Sequence, residues 1–229
     1  MNTPLRPGSP VAKRADRGTR AAVRKSGLLR ERQKEARRAA MLQAAARLFS
    51  QEGYARTTFE EIAAAAGFGV ATVYKYFPSK ERIVIALLQP DWDRMAVRAG
   101  RIIEQPPPDP AEAMVRLIST YGELGGHNWA SRELLRLVIF PGLGNRGVLR
   151  SWVIDSDRRA QQLIRALLRK QRDCGALAPR LALEDATAVI FSLLNQNFAQ
   201  FLTQQELSFR SMFRRLSRQL RLVFDDWRQ

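Results

Sequence analysis

Residues 45–84 decide the fold of this chain, and they read AARLFSQEGYARTTFEEIAAAAGFGVATVYKYFPSKERIV. Apolar residues recur at helical spacing in consecutive short runs. Thr58 and Glu61 have the spacing of a capping box, so a second helix is predicted to begin at Phe59 and to stop at Gly67. A third short helix is predicted over Val70–Phe77. Two short helices joined by a three-residue turn that contains glycine predict a helix-turn-helix.

The exposed face of the third helix has the chemistry of a DNA-reading surface. Short side chains in its first turn are followed by a hydrogen-bonding ring and a cation, in the series Ala71, Thr72, Tyr74 and Lys75. No acidic residue lies between Phe68 and Lys80. Phosphates that line a major groove would repel such a residue, so its absence favours docking of this helix into the groove.

These features together resemble the N-terminal domain of the TetR family of bacterial transcriptional regulators. The resemblance covers roughly 50 of the 229 residues. It is carried by Leu48-Phe49, Gly53, Thr57-Thr58, Ile62-Ala63, Ala66-Gly67, Thr72-Val73-Tyr74, Tyr76-Phe77 and Ser79-Lys80-Glu81. Two positions depart from the family pattern, because Gly69 replaces the usual Ser or Thr cap of the third helix and Phe68 replaces a typical Val.

The resemblance implies a role in DNA binding for nine residues. Major-groove contacts are implied for Val70, Ala71, Thr72, Tyr74 and Lys75. Phosphate contacts are implied for Thr57, Thr58, Tyr76 and Lys80. For Tyr76, a core aromatic whose hydroxyl is satisfied internally remains the alternative.

The charge of the chain points to a polyanionic partner. The 38 basic and 22 acidic residues give a net charge of +16, which favours nucleic acid or an anionic surface. Residues 1–38 hold 12 basic and three acidic residues. We predict that residues 1–28 form a disordered basic arm, which resembles arms that reach along DNA, and that a helical pattern begins around Leu29. An extension without function is the alternative.

Composition excludes several classes of site. The single cysteine, Cys174, excludes an internal disulfide and a cysteine-cluster metal site, and the single histidine, His127, excludes a multi-histidine site. We therefore expect no metal, cofactor or catalytic residue. No apolar run reaches the length of about 20 residues that a membrane-spanning helix needs. A cytoplasmic, nucleoid-associated protein is the expectation.

The rest of the chain has helical periodicity, so the predicted fold class is all-α. The prediction is a three-helix helix-turn-helix domain over 29–88, followed by a larger helical domain over 89–229, for which the resemblance to the TetR family implies ligand binding and dimerisation. A fourth helix is expected from Lys80 toward Glu104, interrupted at Pro90, with a hinge at Gln89–Asp91. Further helices are expected over Ala111–Leu124, Ser131–Phe140, Arg146–Asp173, Leu183–Thr203 and Glu206–Trp227.

The last predicted helix carries an apolar stripe made of Phe209, Met212, Phe213, Leu216, Leu220, Val223, Phe224 and Trp227. Two long apolar helices at the C-terminus favour a homodimer through a four-helix interface. Core packing within one subunit is the alternative.

A ligand pocket is expected among the helices of the larger domain, mostly apolar with a few polar anchors. The candidates for its lining are Tyr121, His127, Asn128, Trp129, Arg132, Trp152 and Asn195.

The function that these observations favour is a homodimeric repressor, released from a palindromic double-stranded DNA operator by a small-molecule effector. A DNA-binding regulator controlled by a protein partner is one alternative. A remote alternative is an enzyme built on the C-terminal helices, in which His127 would need an acidic partner such as Asp155 or Asp157.

Overall fold

The computed structural model describes residues 11–122, 147–204 and 206–228, and every regular element within these ranges is an α-helix. The expected all-α class is confirmed. In chain order the helices are α1 (Val11–Glu52), α2 (Phe59–Ala66), α3 (Val70–Tyr76), α4 (Lys80–Glu104), α5 (Pro110–Gly122), α6 (Val148–Asp173), α7 (Leu183–Thr203) and α8 (Phe209–Trp227). The expected helix over Ser131–Phe140 lies outside the described residues.

Helix α1 begins earlier than the sequence analysis expected. It starts at Val11 rather than near Leu29 and continues to Glu52, so the disorder expected for residues 11–28 is corrected. The physical reason is composition: after Pro10 this stretch has no proline, and it is rich in Ala and Arg, which are strong helix formers. Residues 27–37 are exposed. Residues 1–10 of the expected arm lie outside the described residues.

Local signals fix the ends of the short helices as the sequence predicted. The Thr58 hydroxyl accepts a hydrogen bond from the Glu61 N–H and the Glu61 carboxylate accepts one from the Thr58 N–H, so the capping box is present. Gly67 ends α2 with φ of 74°, in the left-handed region that favours glycine. The Ser79 hydroxyl caps α4 by accepting from the Arg82 N–H.

Helix α4 does not break at Pro90. It continues from Lys80 to Glu104 with the proline inside it, so the expected interruption is corrected. A proline lacks the N–H that would donate to the carbonyl of Ala86 one turn earlier. Packing on both sides of this point compensates, because Leu88 and Asp91 are both buried.

Helices α1 to α4 together form the part of the chain that we call the head. They enclose one apolar core, which we call the head core. Its most buried members are Met41, Ala45, Phe49, Ile62, Val73, Ile83 and Val84. Leu149 and Val153 of α6 belong to the same core. The N-terminal turns of α6 are therefore part of the packing that positions the helix-turn-helix.

A second, larger core joins α5, α6, α7 and α8. Met212, Leu216, Leu220 and Phe224 of α8 are buried in it, and Phe209, Phe213 and Trp227 are partly buried and pack against it. Core packing within the protomer therefore involves seven of the eight residues of the apolar stripe on this helix. No helix in the described ranges is both long and apolar enough to cross a membrane.

Candidate nucleic-acid interface

Helix α3 presents one buried side and one exposed side. Val73 and the following Phe77 are buried in the head core, whereas Ala71, Tyr74 and Lys75 are exposed. A seven-residue helix has no stable conformation by itself in water. Burial of Val73 and Phe77 therefore fixes which side chains α3 offers to a partner.

The ring of Tyr74 is held in place by the neighbouring helix. It stacks on Phe59 of α2 with 4.3 Å between the ring centroids and an interplanar angle of 16°. Tyr74 is nevertheless 48% exposed. Tyr74 thus presents an oriented ring and hydroxyl on the surface that the sequence assigned to the major groove.

Three residues assigned to DNA contacts are less exposed than expected. Val70 and Tyr76 are partly buried and pack against the head core. This placement favours the alternative that the sequence analysis left open for Tyr76, a core aromatic. Thr72 is also partly buried.

Thr58 is exposed, but both of its hydrogen-bond donors already have an acceptor. Its N–H lies 2.8 Å and its hydroxyl oxygen 3.0 Å from the same oxygen, Oε2 of Glu61. The backbone hydrogen bond, followed by that of the hydroxyl, lowers the pKa of Glu61. A phosphate that binds Thr58 must therefore take the place of this carboxylate.

Thr57 is corrected as a phosphate contact. The residue is 1% exposed, and its hydroxyl donates to the Gly53 carbonyl oxygen at 2.9 Å. A phosphate oxygen accepts hydrogen bonds only, so this hydroxyl has no hydrogen left to offer. The side chain instead holds the link between α1 and α2.

Lys80 connects the start of α4 to the segment between α1 and α2. Its Nζ lies 2.9 Å, 3.2 Å and 2.9 Å from the carbonyl oxygens of Tyr54, Ala55 and Thr57. The ammonium group also lies 4.7 Å from the centroid of the Tyr54 ring. Burial, with a smaller effect of the charge of Glu81, raises the pKa of Tyr54 to about 12. All three hydrogens of Lys80 are used internally, so this residue holds the head together.

The structure adds Arg38, which sequence analysis missed. Its guanidinium carbon lies 5.5 Å from the centroid of the Phe77 ring, at the end of α3. A cation held beside α3 is suited to bind a phosphate that flanks the major groove of DNA. The sequence does not distinguish Arg38 from the many other arginines, because its contact with Phe77 depends on how α1 crosses α3.

The residues assigned to a ligand pocket divide into three groups. Tyr121 is 7% exposed, and Trp152 is partly buried with its Nε1 donating to Gln89 Oε1 at 3.1 Å. Asn195 is exposed on α7, one turn from Phe191 and Phe198. His127, Asn128, Trp129 and Arg132 lie outside the described residues.

Trp92 joins Tyr121 to Trp152. Its ring centroid lies 5.9 Å from that of Tyr121 and 5.6 Å from that of Trp152. The sequence analysis named two of these three rings and missed Trp92, which follows the proline of α4. Within the described ranges, no group of three or more His, Cys, Asp or Glu side chains is arranged to hold a metal ion.

Comparison with known proteins agrees with this geometry. Residues 41–87 match the model of the family described as bacterial regulatory proteins, tetR family, which confirms the resemblance seen in the sequence. The chain is 33% identical over 120 residues to the HTH-type transcriptional regulator EthR of Mycolicibacterium smegmatis. That match covers 52% of this chain and 52% of EthR, so the chain spans about half the length of this curated relative.

Solved structures share the fold over most of the chain. The complex of SmeT, the repressor of a multidrug efflux pump of Stenotrophomonas maltophilia, with triclosan gives a TM-score of 0.68 at 22% identity, covering 85% of this chain and 92% of that one. The regulator FadR of Bacillus subtilis in complex with stearoyl-CoA gives a TM-score of 0.63 at 18% identity, covering 80% and 96%. Both confirm a helix-turn-helix domain followed by a larger helical domain.

Separate substitution of Lys75 and Lys80 distinguishes a structural role from a role in recognition. Lys80→Met leaves three carbonyl oxygens without their donor and should lower the free energy of unfolding by about 1–3 kcal/mol. Lys75→Met removes an exposed cation and should change it by less than about 0.5 kcal/mol. Urea unfolding measures both values. Equal losses of stability in the two variants would contradict the structural role of Lys80.

Proposed function

The chain carries the N-terminal domain of the TetR family, and from this premise we propose that it is a homodimeric transcriptional repressor, released from a palindromic DNA operator by a small molecule. The observation that carries the proposal is the exposed, acid-free face of α3, where Tyr74 is oriented by its stack on Phe59. Each protomer reads one half-site in the major groove of a chromosomal operator in the bacterial cytoplasm.

We assign DNA contacts to the side chains that are exposed or that have hydrogen-bonding groups able to reach DNA. Ala71, Thr72, Tyr74 and Lys75 read base edges, with Val70 packing beside them. Lys75 suits guanine, and Ala71 suits the methyl group of thymine. Arg38 binds a flanking phosphate, and Thr58 binds one when its hydroxyl leaves Glu61.

The N-terminal half of α1 supplies affinity without sequence preference. Residues 1–28 contain seven basic residues and one acidic residue. Cations along a helix neutralise phosphates and release counterions whatever the base sequence. We propose that this extension, rather than α3, supplies most of the salt dependence of binding.

Selection of genomic fragments by the purified chain, followed by anisotropy titration at several salt concentrations, tests the proposal. We expect a palindromic site bound by two protomers, at least about a thousandfold tighter than unrelated DNA. Deletion of residues 1–28 should lower the affinity and flatten the salt dependence while the preferred site stays the same. Binding without any preferred sequence would refute the repressor.

The homodimer is proposed to form through one face of α7 and α8. Val189 and Leu222 are large apolar residues, 43% and 72% exposed in the protomer. Helical spacing places Val189 with Asn197 on α7, and Leu222 with Arg215 and Gln219 on α8. Exposed apolar residues on these two helices suit a self-complementary interface between two copies.

A polar network lies beneath this face, because Asn197 is 2% exposed. The Asn197 Nδ2 donates to Gln219 Oε1 at 2.7 Å, and the Arg215 Nε donates to Asn197 Oδ1 at 2.9 Å. The network joins α7 to α8 within the protomer and so fixes the relative position of the two helices that form the proposed interface.

Leu222→Glu tests this interface. A carboxylate in the proposed contact should weaken self-association at least about tenfold, because it is desolvated there without a partner. Sedimentation velocity at decreasing concentration measures the effect. The matched control is Val97→Glu, since Val97 is 59% exposed on α4, outside the proposed face. A dimer weakened equally by both substitutions would exclude this face.

The connection between effector and DNA is proposed to run through Trp152 and Trp92. Trp152 packs against the head core and is hydrogen-bonded to Gln89, and Trp92 reaches from there to Tyr121. A ligand beside Tyr121 therefore lies two side chains away from the head. The missing hydrogen bond at Pro90 makes this point of α4 the easiest to bend.

Pro90→Ala tests the hinge with the effector identified from the genes beside the operator. Restoring the hydrogen bond should stiffen α4 and shift the effector concentration for half-release at least threefold. Operator affinity without effector should change less than twofold, because the residue is exposed and lies outside the reading surface. Equal effects on both quantities, measured by anisotropy, would show that Pro90 is not a hinge.

A further inference from the structure

A small aromatic cluster lies between the head core and the core of the larger domain. Met95, Tyr121 and Ala160 are buried in it, and Trp92, Phe191 and Phe198 pack around them. Tyr121 meets Trp92 edge-on at 89°, and Trp152 meets Trp92 at 51°. Rings at such angles are not stacked, so each leaves part of its face or edge for contact with other groups.

Two polar atoms in this cluster are buried without a partner. They are Nε1 of Trp92 and the hydroxyl oxygen of Tyr121, neither of which has a hydrogen bond in the described part of the chain. Tyr121 as a residue is 7% exposed. Buried polar groups in proteins are normally satisfied, so two neighbouring exceptions indicate a site that a bound molecule completes.

Asp157 of α6 adds an uncompensated negative charge. It is partly buried one turn before Ala160, and burial raises the pKa of its carboxyl group. Asp157 precedes Ala160 by three positions, so it lies on the face of α6 that carries this cluster. Burial, followed by the charge of Asp157, raises the pKa of Tyr121. By contrast, the neighbouring Asp155 is exposed and paired with Arg158 at 2.8 Å. Asp157 has no such ion pair in the described ranges.

We propose that this cluster binds an organic cation, an alkylammonium group attached to an apolar body. The ammonium group lies between the Asp157 carboxylate and the faces of Trp92 and Trp152, where ring quadrupoles and the negative charge both attract it. An oxygen of the same ligand accepts hydrogen bonds from Trp92 Nε1 and the Tyr121 hydroxyl. Such a ligand satisfies all three uncompensated groups, whereas a purely apolar molecule satisfies none of them.

The inference rests on the proposed function only for the consequence of binding. Binding itself is a property of the larger domain and is measured without DNA. Where the proposed function holds, the cation is the effector, because Trp152 connects the cluster to the head through Gln89.

Isothermal titration calorimetry of the full chain with three probes of matched shape tests the charge preference. The probes are benzyltrimethylammonium, its neutral isostere neopentylbenzene and the anion phenylmethanesulfonate. The cation should bind at least tenfold more tightly than either of the others. Equal binding of cation and neutral isostere, preference for the anion, or no binding of the cation would overturn the proposal.

Two substitutions on α6 assign the site. Asp157→Asn should weaken binding of benzyltrimethylammonium at least tenfold and leave neopentylbenzene unchanged. Asp155→Asn, two residues away on the exposed side, is the control and should change neither. Trp92→Phe keeps an aromatic ring and should weaken binding of the cation less than Asp157→Asn does. This variant keeps the assignment testable if the Asp157→Asn variant does not fold. Cation binding that is unaffected by both Asp157→Asn and Trp92→Phe would place it elsewhere.

Measuring DNA binding and cation binding on the same chain separates the failure of this inference from the failure of the proposed function. A chain that binds the cation through Asp157 but has no specific DNA site would refute the repressor and leave the cation site intact. A chain that binds its operator but ignores all three probes would refute the cation site alone.

Discussion

Helix α3 has only seven residues and is not stable by itself in water, so its conformation depends on burial of Val73 and Phe77. This constraint explains why so much of the head serves to position α3. The capping box fixes where α2 begins, Gly67 turns the chain toward α3, and Lys80 ties the segment between α1 and α2 to the first turn of α4. The exposed face of α3 is therefore a consequence of the packing on its opposite side.

The same constraint links the head to the larger domain. Leu149 and Val153 of α6 complete the core on which α3 rests. A displacement of α6 therefore changes the support of the head as well as the walls of the aromatic cluster. Trp152 lies at this junction, packed against the head core while bonded to Gln89 of α4. This is a physical basis for coupling that does not require a rigid α4 along its whole length.

Features that depend on neighbouring residues in sequence were predictable, whereas those that depend on tertiary contacts were not. The ends of α2 follow from Thr58, Glu61 and Gly67, and α7 spans the predicted Leu183–Thr203 because apolar periodicity identifies it. The three carbonyl partners of Lys80 lie 23 to 26 residues away, so sequence analysis placed this lysine on a phosphate instead. Thr57 was misplaced for the same reason, since its burial depends on the crossing of helices.

The candidate site shows a similar division. The exposed face of α3 was identified correctly at Ala71, Tyr74 and Lys75, because periodicity determines which side of a helix is apolar. In the larger domain, Tyr121 and Trp152 were named as separate aromatic residues, but Trp92, which joins them, was not. Nothing in the spacing of Trp92, Tyr121 and Trp152 along the chain indicates that they meet, since they lie on three different helices.

The few base-reading groups on α3 give a reason for the proposed dimer. One good base contact contributes about 1–3 kcal/mol of discrimination, and α3 offers few side chains able to make one. Binding by the strongly basic N-terminal region, as proposed, would favour every sequence equally, so it would not compensate for this shortage. In the proposed dimer, two heads joined through α7 and α8 would add their discrimination on a palindromic site. In this proposal an effector needs no contact with DNA, because a change in the spacing leaves one head out of register and so removes half of the sequence-specific contacts.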